Sequence, residues 1–239
     1  MSRKAGIIYY TDSKLEDKIA FPVIGILQAI GFPVVSCSLK PMDFGDNVVL
    51  DLKPGIITMF NQILTALEKS EANIVFFCEH DVLYHKSHFH FEPEYDNVFY
   101  YNTNVWQWKY PEDFAVTYDN LTSLSGLCVY RKFAIEHYKK RLKLVEKNGW
   151  VDDGKQPSWA KRMGYEPGTK SERQEIVSKD VSECWRSKYP NIDIRHKGTF
   201  TPQKMSLDNF KHKPINWKTI KVSEIIGWNL YDIFNIKSK

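Results

Sequence analysis

The chain has 239 residues, 43% of them hydrophobic, and its 33 Lys/Arg against 29 Asp/Glu leave a net charge of +4. That is enough for one large domain, or one with an appendage, and no apolar run approaches the roughly 18–20 residues that cross a bilayer, which excludes a membrane-spanning helix. The charge is uneven: residues 131–221 hold 22 Lys/Arg against 11 Asp/Glu, interleaved with Trp150, Trp159, Tyr165, Trp185 and Tyr189, so a polyanion-binding face competes there with an ordinary solvated surface.

The first predicted strand, Gly6-Ile7-Ile8-Tyr9-Tyr10, ends in Thr11-Asp12, where Asp12 or Ser13 starts a turn. Ile19, Val23, Ile26, Leu27 and Ile30 share one helical face, with Pro22 tolerated in an early turn and Gly31 as the stop. A short strand, Val34 to Ser38, completes a β-α-β unit, which is right-handed as a rule. Residues 40–54, with two prolines, Gly45 and Asn47, read as a loop over the same sheet edge as Thr11. Ile56, Phe60, Ile63, Leu64 and Leu67 form a second amphipathic helix leading into Ile74-Val75-Phe76-Phe77-Cys78, an unbroken apolar run that suits a strand buried on both faces of a parallel sheet. Glu79-His80-Asp81 follows at its carboxyl end, where open α/β sheets collect ligands. With period-two alternation Glu79 and Asp81 share a face and His80 points away, so two carboxylates can hold a hard divalent cation; a simple turn or helix cap uses the same residues.

A strand running into Glu-x-Asp after two β-α units resembles the acidic metal motif of GT-A fold glycosyltransferases. The resemblance implies a single GT-A-like, Rossmann-like α/β domain with a central mixed, mostly parallel sheet flanked by helices. It covers most of residues 5–200: 1–81 as the nucleotide-binding half, 82–200 as the acceptor half, and 201–239 as a C-terminal tail packed on the domain. It further implies Mn or Mg on the pyrophosphate of a nucleotide-sugar, with Thr11 and Asp12 beside its base and ribose.

Beyond Asp81, His85, His88 and His90 match no compact zinc-finger spacing, which leaves a substrate contact or a solvated turn. Val98 to Asn102, Val105 to Trp108 and Phe114 to Tyr118 read as short aromatic strands, and Ser125 to Tyr130 as a buried one in which Gly126 permits close approach. In the resemblance this strand lines the acceptor side, and Gly126 admits a sugar or base. Residues 133–147 form a helix with Phe133, Ile135, Tyr138, Leu142 and Val145 inward and Lys/Arg outward, ended by Gly149. From Trp150 to Arg173 periodicity is lost in a long loop that carries Glu166, one candidate base; Glu183, in a short helical stretch 181–186, is the other. In the strand-like run Asn191 to Gly198, His196 resembles the late third metal ligand of the family, with Arg195 and Lys197 placed for the diphosphate. The apolar tail, Trp217 to Phe234, docks on the body or lies on a membrane surface.

Cys37, Cys78, Cys128 and Cys184 share no CxxC spacing, and three of them lie in apolar strand-like runs. They read as buried free thiols, which suits a cytoplasmic chain without a signal peptide. The expected activity is metal-dependent transfer of a sugar, from a UDP-sugar by family habit, to a hydroxyl. The basic, aromatic segment tilts the acceptor toward a hydroxymethylated pyrimidine in DNA over a cell-envelope glycan or lipid-linked oligosaccharide. Against nucleotidyl transfer, no Gly-rich phosphate loop follows the first strand; against two-metal hydrolysis, no second carboxylate cluster appears. A catalytically silent nucleic-acid-binding module would need neither Asp81 nor His196.

Overall fold

The structure, a computed structural model, describes residues 4–150, 166–169, 181–199 and 203–236. The chain opens with β1 (Ala5–Thr11), α1 (Asp17–Ala29), β2 (Val34–Ser38), β3 (Asp46–Val49), α2 (Ile56–Lys69) and β4 (Ile74–Glu79). Five strands follow, β5 (Val82–Leu83), β6 (Val98–Asn102), β7 (Val105–Lys109), β8 (Ala115–Thr117) and β9 (Leu127–Tyr130), then α3 (Arg131–Asn148). The described remainder holds β10 (Val181–Trp185), β11 (Asn191–Arg195), β12 (Lys218–Ile220) and a last short helix, α4 (Leu230–Ile233).

Seven strands form one sheet in the order β10-β6-β9-β4-β1-β2-β3. β1 runs parallel to β2 and β4, β2 to β3, and β10 to β6; β9 alone is antiparallel, to both β4 and β6. The chain is therefore α/β with a mixed, mainly parallel sheet. Both faces of β1 and β4 are buried, as their apolar runs require. Ile7, Tyr9, Ile74, Phe76 and Cys78 enter one core, whereas Ile8, Tyr10, Val75 and Phe77 enter the other. Each fully buried Phe contributes roughly 1.5–3 kcal/mol, and neither Phe76 nor Phe77 is exposed.

The core on the Ile8 side is closed by α2, through Phe60, Ile63 and Leu67, and by α3, through Ala134 and Tyr138. The other core is closed by Ile19, Val23 and Leu27 of α1 and by a second sheet, β12-β8-β7-β11-β5, which supplies Leu83, Trp108, Ala115, Ile192 and Ile194. α1 stops where Gly31 takes a φ of +76°, a left-handed conformation that favours glycine.

Three features depart from the sequence reading, and a fourth, the docked tail, extends it. Residues 46–49 of the expected loop pair with β2 as an edge strand. Residues 181–185 are a strand rather than a helical turn, because they add in parallel to β6. The tail contributes β12 to the second sheet by pairing with β8, and buries Val222, Ile225 and Leu230 in the core. Finally, α3 turns Ala134, His137, Tyr138 and Arg141 inward. Arg141 is therefore not on the outer face. Its Nε donates to His137 Nε2 at 2.7 Å, and its guanidinium lies 5.1 Å from the Phe60 ring centroid and 5.9 Å from that of Tyr138. A planar, weakly hydrated cation tolerates such a position by stacking on aromatic faces. Among the described residues no helix is long and apolar enough to cross a membrane. Cys37, Cys78 and Cys128 are buried free thiols, while Cys184 is exposed.

Candidate metal centre and cleft

β4 keeps its register against β1 up to the pair Tyr10↔Glu79, and there the strand ends. His80 and Asp81 form a tight turn into β5, so the period-two alternation expected across Glu79-His80-Asp81 stops at its first member. The turn swings His80 beside Asp81. Their ligand atoms and one from His196 all lie within 4.8 Å of one another. Glu79 makes a different contact, accepting a hydrogen bond from the Tyr10 hydroxyl at 2.7 Å. The cluster the fold assembles is His80, Asp81 and His196, with Glu79 beside it rather than in it.

Each imidazole is held from behind. His80 Nδ1 lies 2.7 Å from Thr11 Oγ1, which also accepts from the Ser13 amide at 3.0 Å. When Nδ1–H donates to Thr11, Nε2 is left with a free lone pair. Thr11 thus orients an imidazole, a role its sequence position at the end of β1 did not disclose. His196 follows β11, and its backbone is tied by its amide to Thr199 Oγ1 (2.9 Å) and by its carbonyl to Gln203 Nε2 (2.7 Å). Its Nδ1 accepts from the Gly198 amide at 3.2 Å, which puts the ring proton on Nε2. Nε2 points at Asp81 Oδ2, 3.5 Å away, and this buried atom has no other hydrogen-bond partner among the described residues. A cation bound at Nε2 would need the ring proton on Nδ1 instead, which would end the contact from the Gly198 amide and satisfy Nε2.

His80 and Asp81 of the cluster line a cleft of about 750 Å³ at the carboxyl ends of β1 and β4, whereas His196 is not among its lining residues. Tyr10, Thr11, Asp12 and Lys14 line one wall, together with Pro54, Gly55 and Thr58 at the start of α2. Gln107, Tyr118, Ser123, Ser125, Glu166, Asp193, Arg195 and Lys204 line the other side. Gln62 ties the floor together, its Nε2 donating to the carbonyls of Thr11 (2.7 Å) and Cys37 (3.1 Å).

Of the sequence candidates, Thr11, Asp12, Glu79, Asp81, Glu166 and Arg195 reach the cleft. Lys197 is exposed and not on its wall; Lys14 and Lys204 are the lysines that are. Glu183 is exposed on the edge strand β10, also outside the cleft lining. Arg195 is buried and turned onto Asp193, with Nη1 at 3.4 and 3.2 Å from its two carboxylate oxygens. Asp193 was not singled out in the sequence, although its i, i+2 spacing from Arg195 on a strand marks a shared face. It also accepts from Gln107 Nε2 at 3.2 Å, its register partner on β7.

Glu166 stands on a short turn. Tyr101 donates to the Pro167 carbonyl at 2.8 Å and Ser182 to the Gly168 carbonyl at 3.1 Å. Gly168, at φ +73°, packs so closely on Val181 that a Cβ would come within 2.9 Å of its backbone. Trp159 and Tyr165, and the rest of the expected loop at 151–165 and 170–173, lie outside the described residues. Gly126 does not face the cleft as expected: a Cβ there would meet the Asn102 carbonyl at 2.8 Å, so its smallness serves strand packing.

Burial dominates the electrostatics. It pushes the Glu79 carboxyl up to about 8, with Asp81 adding to the rise and the Tyr10 hydrogen bond opposing it. Asp193 is likewise pushed up to about 6 by burial, against the pull of Arg195. For Asp81 burial also acts upward, but His196, His80 and Arg195 together outweigh it and hold the carboxyl below its ordinary value. The anionic group of the cluster is therefore Asp81. Away from the cleft, His88 is a core residue, not a ligand. Its Nδ1 meets the Asn102 and Asn191 amides at 3.0 and 3.2 Å, and burial pushes it down to about 3.

The sequence matches no protein-family model and no curated protein.

Proposed function

We propose that the chain is a metal-dependent glycosyltransferase that moves a sugar from a nucleotide-sugar to a hydroxyl. The observation that carries this reading is the convergence of His80, Asp81 and His196 beside a cleft of about 750 Å³ at the carboxyl ends of β1 and β4. A volume in the range of roughly 300–1,000 Å³ suits a ligand of nucleotide-sugar size. Two imidazoles and one carboxylate suit Mn better than Mg, which prefers oxygen ligands. A cation so held offsets charge on a departing diphosphate.

The chain's own groups supply the rest. Lys14 and Lys204 stand on the cleft wall where phosphates can be met by ammonium groups. Thr11 fixes the His80 ring, and Tyr10 keeps Glu79 hydrogen-bonded beside Asp81. Glu166, on its anchored turn, takes the proton of the acceptor hydroxyl as that oxygen bonds to the anomeric carbon. The bond from that carbon to the diphosphate breaks, and its electron pair leaves with the phosphate. The transition state is oxocarbenium-like, as in glycoside chemistry generally.

The test is nucleoside-diphosphate release from a panel of nucleotide-sugars with Mn, before and after chelation, with Asp81→Asn alongside. Release that needs both Mn and Asp81 is the expected result; a panel with neither turnover nor donor binding overturns the reading. The same donor set serves ferrous oxygenases, which gives a second reading. Oxygen uptake with Fe(II) and no diphosphate release with Mn would select it.

A further inference from the structure

Tyr118 joins two environments. One edge lines the cleft together with Asp193 and Arg195. Its ring stacks on Trp217, with centroids 5.7 Å apart and planes at 13°, and meets Phe210 edge-on at 5.2 Å. The strand pair places Trp217 here: β12 runs antiparallel to β8 with Lys218 opposite Thr117, the Asp119 amide donates to the Ile215 carbonyl at 3.0 Å, and Asn216 donates to Asp119 at 2.7 Å. All three rings are only partly buried, and Ile215 beside them is 70% exposed.

This aromatic platform sits in a basic frame. Residues 203–221 contain five lysines and one acid, Asp208. Lys204 lines the cleft and lies 4.9 Å from the Phe210 centroid; Lys211 and Lys213 are exposed between Phe210 and Trp217. Stacked aromatics hold either a sugar or a base, but a neutral glycan offers nothing to the lysines. A nucleic-acid strand satisfies both, its bases on the rings and its phosphates on the ammonium groups. We propose that this platform is the acceptor subsite and that the acceptor is a single-stranded or locally unpaired nucleic acid, whose hydroxyl-bearing base enters the cleft past Tyr118. The assignment as acceptor rests on the glycosyl-transfer reading; the binding surface does not.

The experiment measures fluorescence anisotropy of a labelled single-stranded DNA 12-mer with the full chain, without donor or metal, across a salt series. Neutral α-glucan oligosaccharides and heparin serve as competitors. Trp217→Ala should weaken binding by about tenfold while Trp217→Phe restores it. The double variant Lys211→Ala/Lys213→Ala should flatten the log affinity against log salt by about 1.4, at roughly 0.7 per phosphate on a single strand. Because donor and metal are absent from this assay, loss of binding sinks the platform alone, and absence of diphosphate release in the donor panel sinks the transferase reading alone. The inference is overturned by three results: no DNA binding at low salt, an affinity indifferent to Trp217 that heparin matches, or displacement by neutral glucan.

Discussion

The two sheets build the site in different ways. The seven-stranded sheet delivers Thr11 and the His80-Asp81 turn from the ends of two adjacent parallel strands, each announced by an apolar run. The five-stranded sheet delivers Asp193, Arg195 and the turn bearing His196 from β11, whose neighbours β7 and β5 lie about 85 and 110 residues earlier in the chain. The Ile194 amide closes the join by donating to the Asp81 carbonyl at 2.8 Å. A strand end in a parallel sheet is a local feature, whereas the third member of this cluster, His196, joins it only once distant short strands have paired.

The difference can be broken at several points. Loss of Asp81 should do most, because it removes the one anionic member of the cluster. Asp81→Asn is expected to lower Mn-dependent diphosphate release by about 10³-fold, the order of a few kcal/mol of charge stabilisation, and chelation of the parent should do the same until Mn is restored. Next comes the small sheet itself. Ile192 is fully buried between the sheets, so Ile192→Ala should cost about 2–5 kcal/mol in denaturant unfolding. A loss well below that would mean the second sheet is not part of the folding core.

The two residues flanking the strand end sharpen the comparison. His80→Ala should weaken Mn binding by about 10- to 100-fold, the effect of losing a ligand or its support, whereas Glu79→Gln should leave affinity nearly unchanged in calorimetry. The reverse ranking would restore the strand-like alternation and remove His80 from the cluster. Thr11→Val, which deletes only the hydroxyl behind His80 Nδ1, should cost about tenfold in Mn affinity. A pH effect tests burial of the strand end directly. Glu79 titrates near 8 in the folded chain and near 4.3 unfolded, so the folded state holds the extra proton between those values. Metal-free stability is then highest below about pH 4.3 for this group and declines as pH rises through 8. Glu79→Gln should flatten that slope in chelator-treated melts; Asp193 adds to it below about pH 6, and His88, pushed down to about 3, opposes it below about 6.5.

Local pattern determined a good deal. The runs at 6–10, 34–38 and 74–78, and the helical faces between them, announce β-α-β units with a sheet buried on both faces, because a strand covered on both sides must be apolar at every position. The same logic marked Asp81 as a strand-end acid. It misplaced His80 and Glu79 because alternation holds only while a strand continues, and the turn into β5 is decided by pairing with β11 more than 100 residues later. His196 could be named only through the family resemblance. That its Nε2 would be buried against Asp81, that Arg195 would be paired with Asp193 on the cleft wall, and that Tyr118 would stack on Trp217 depended on which short strands share an edge. Single-residue chemistry does not encode those pairings. They follow from the strand register and the shared core that only the folded chain provides.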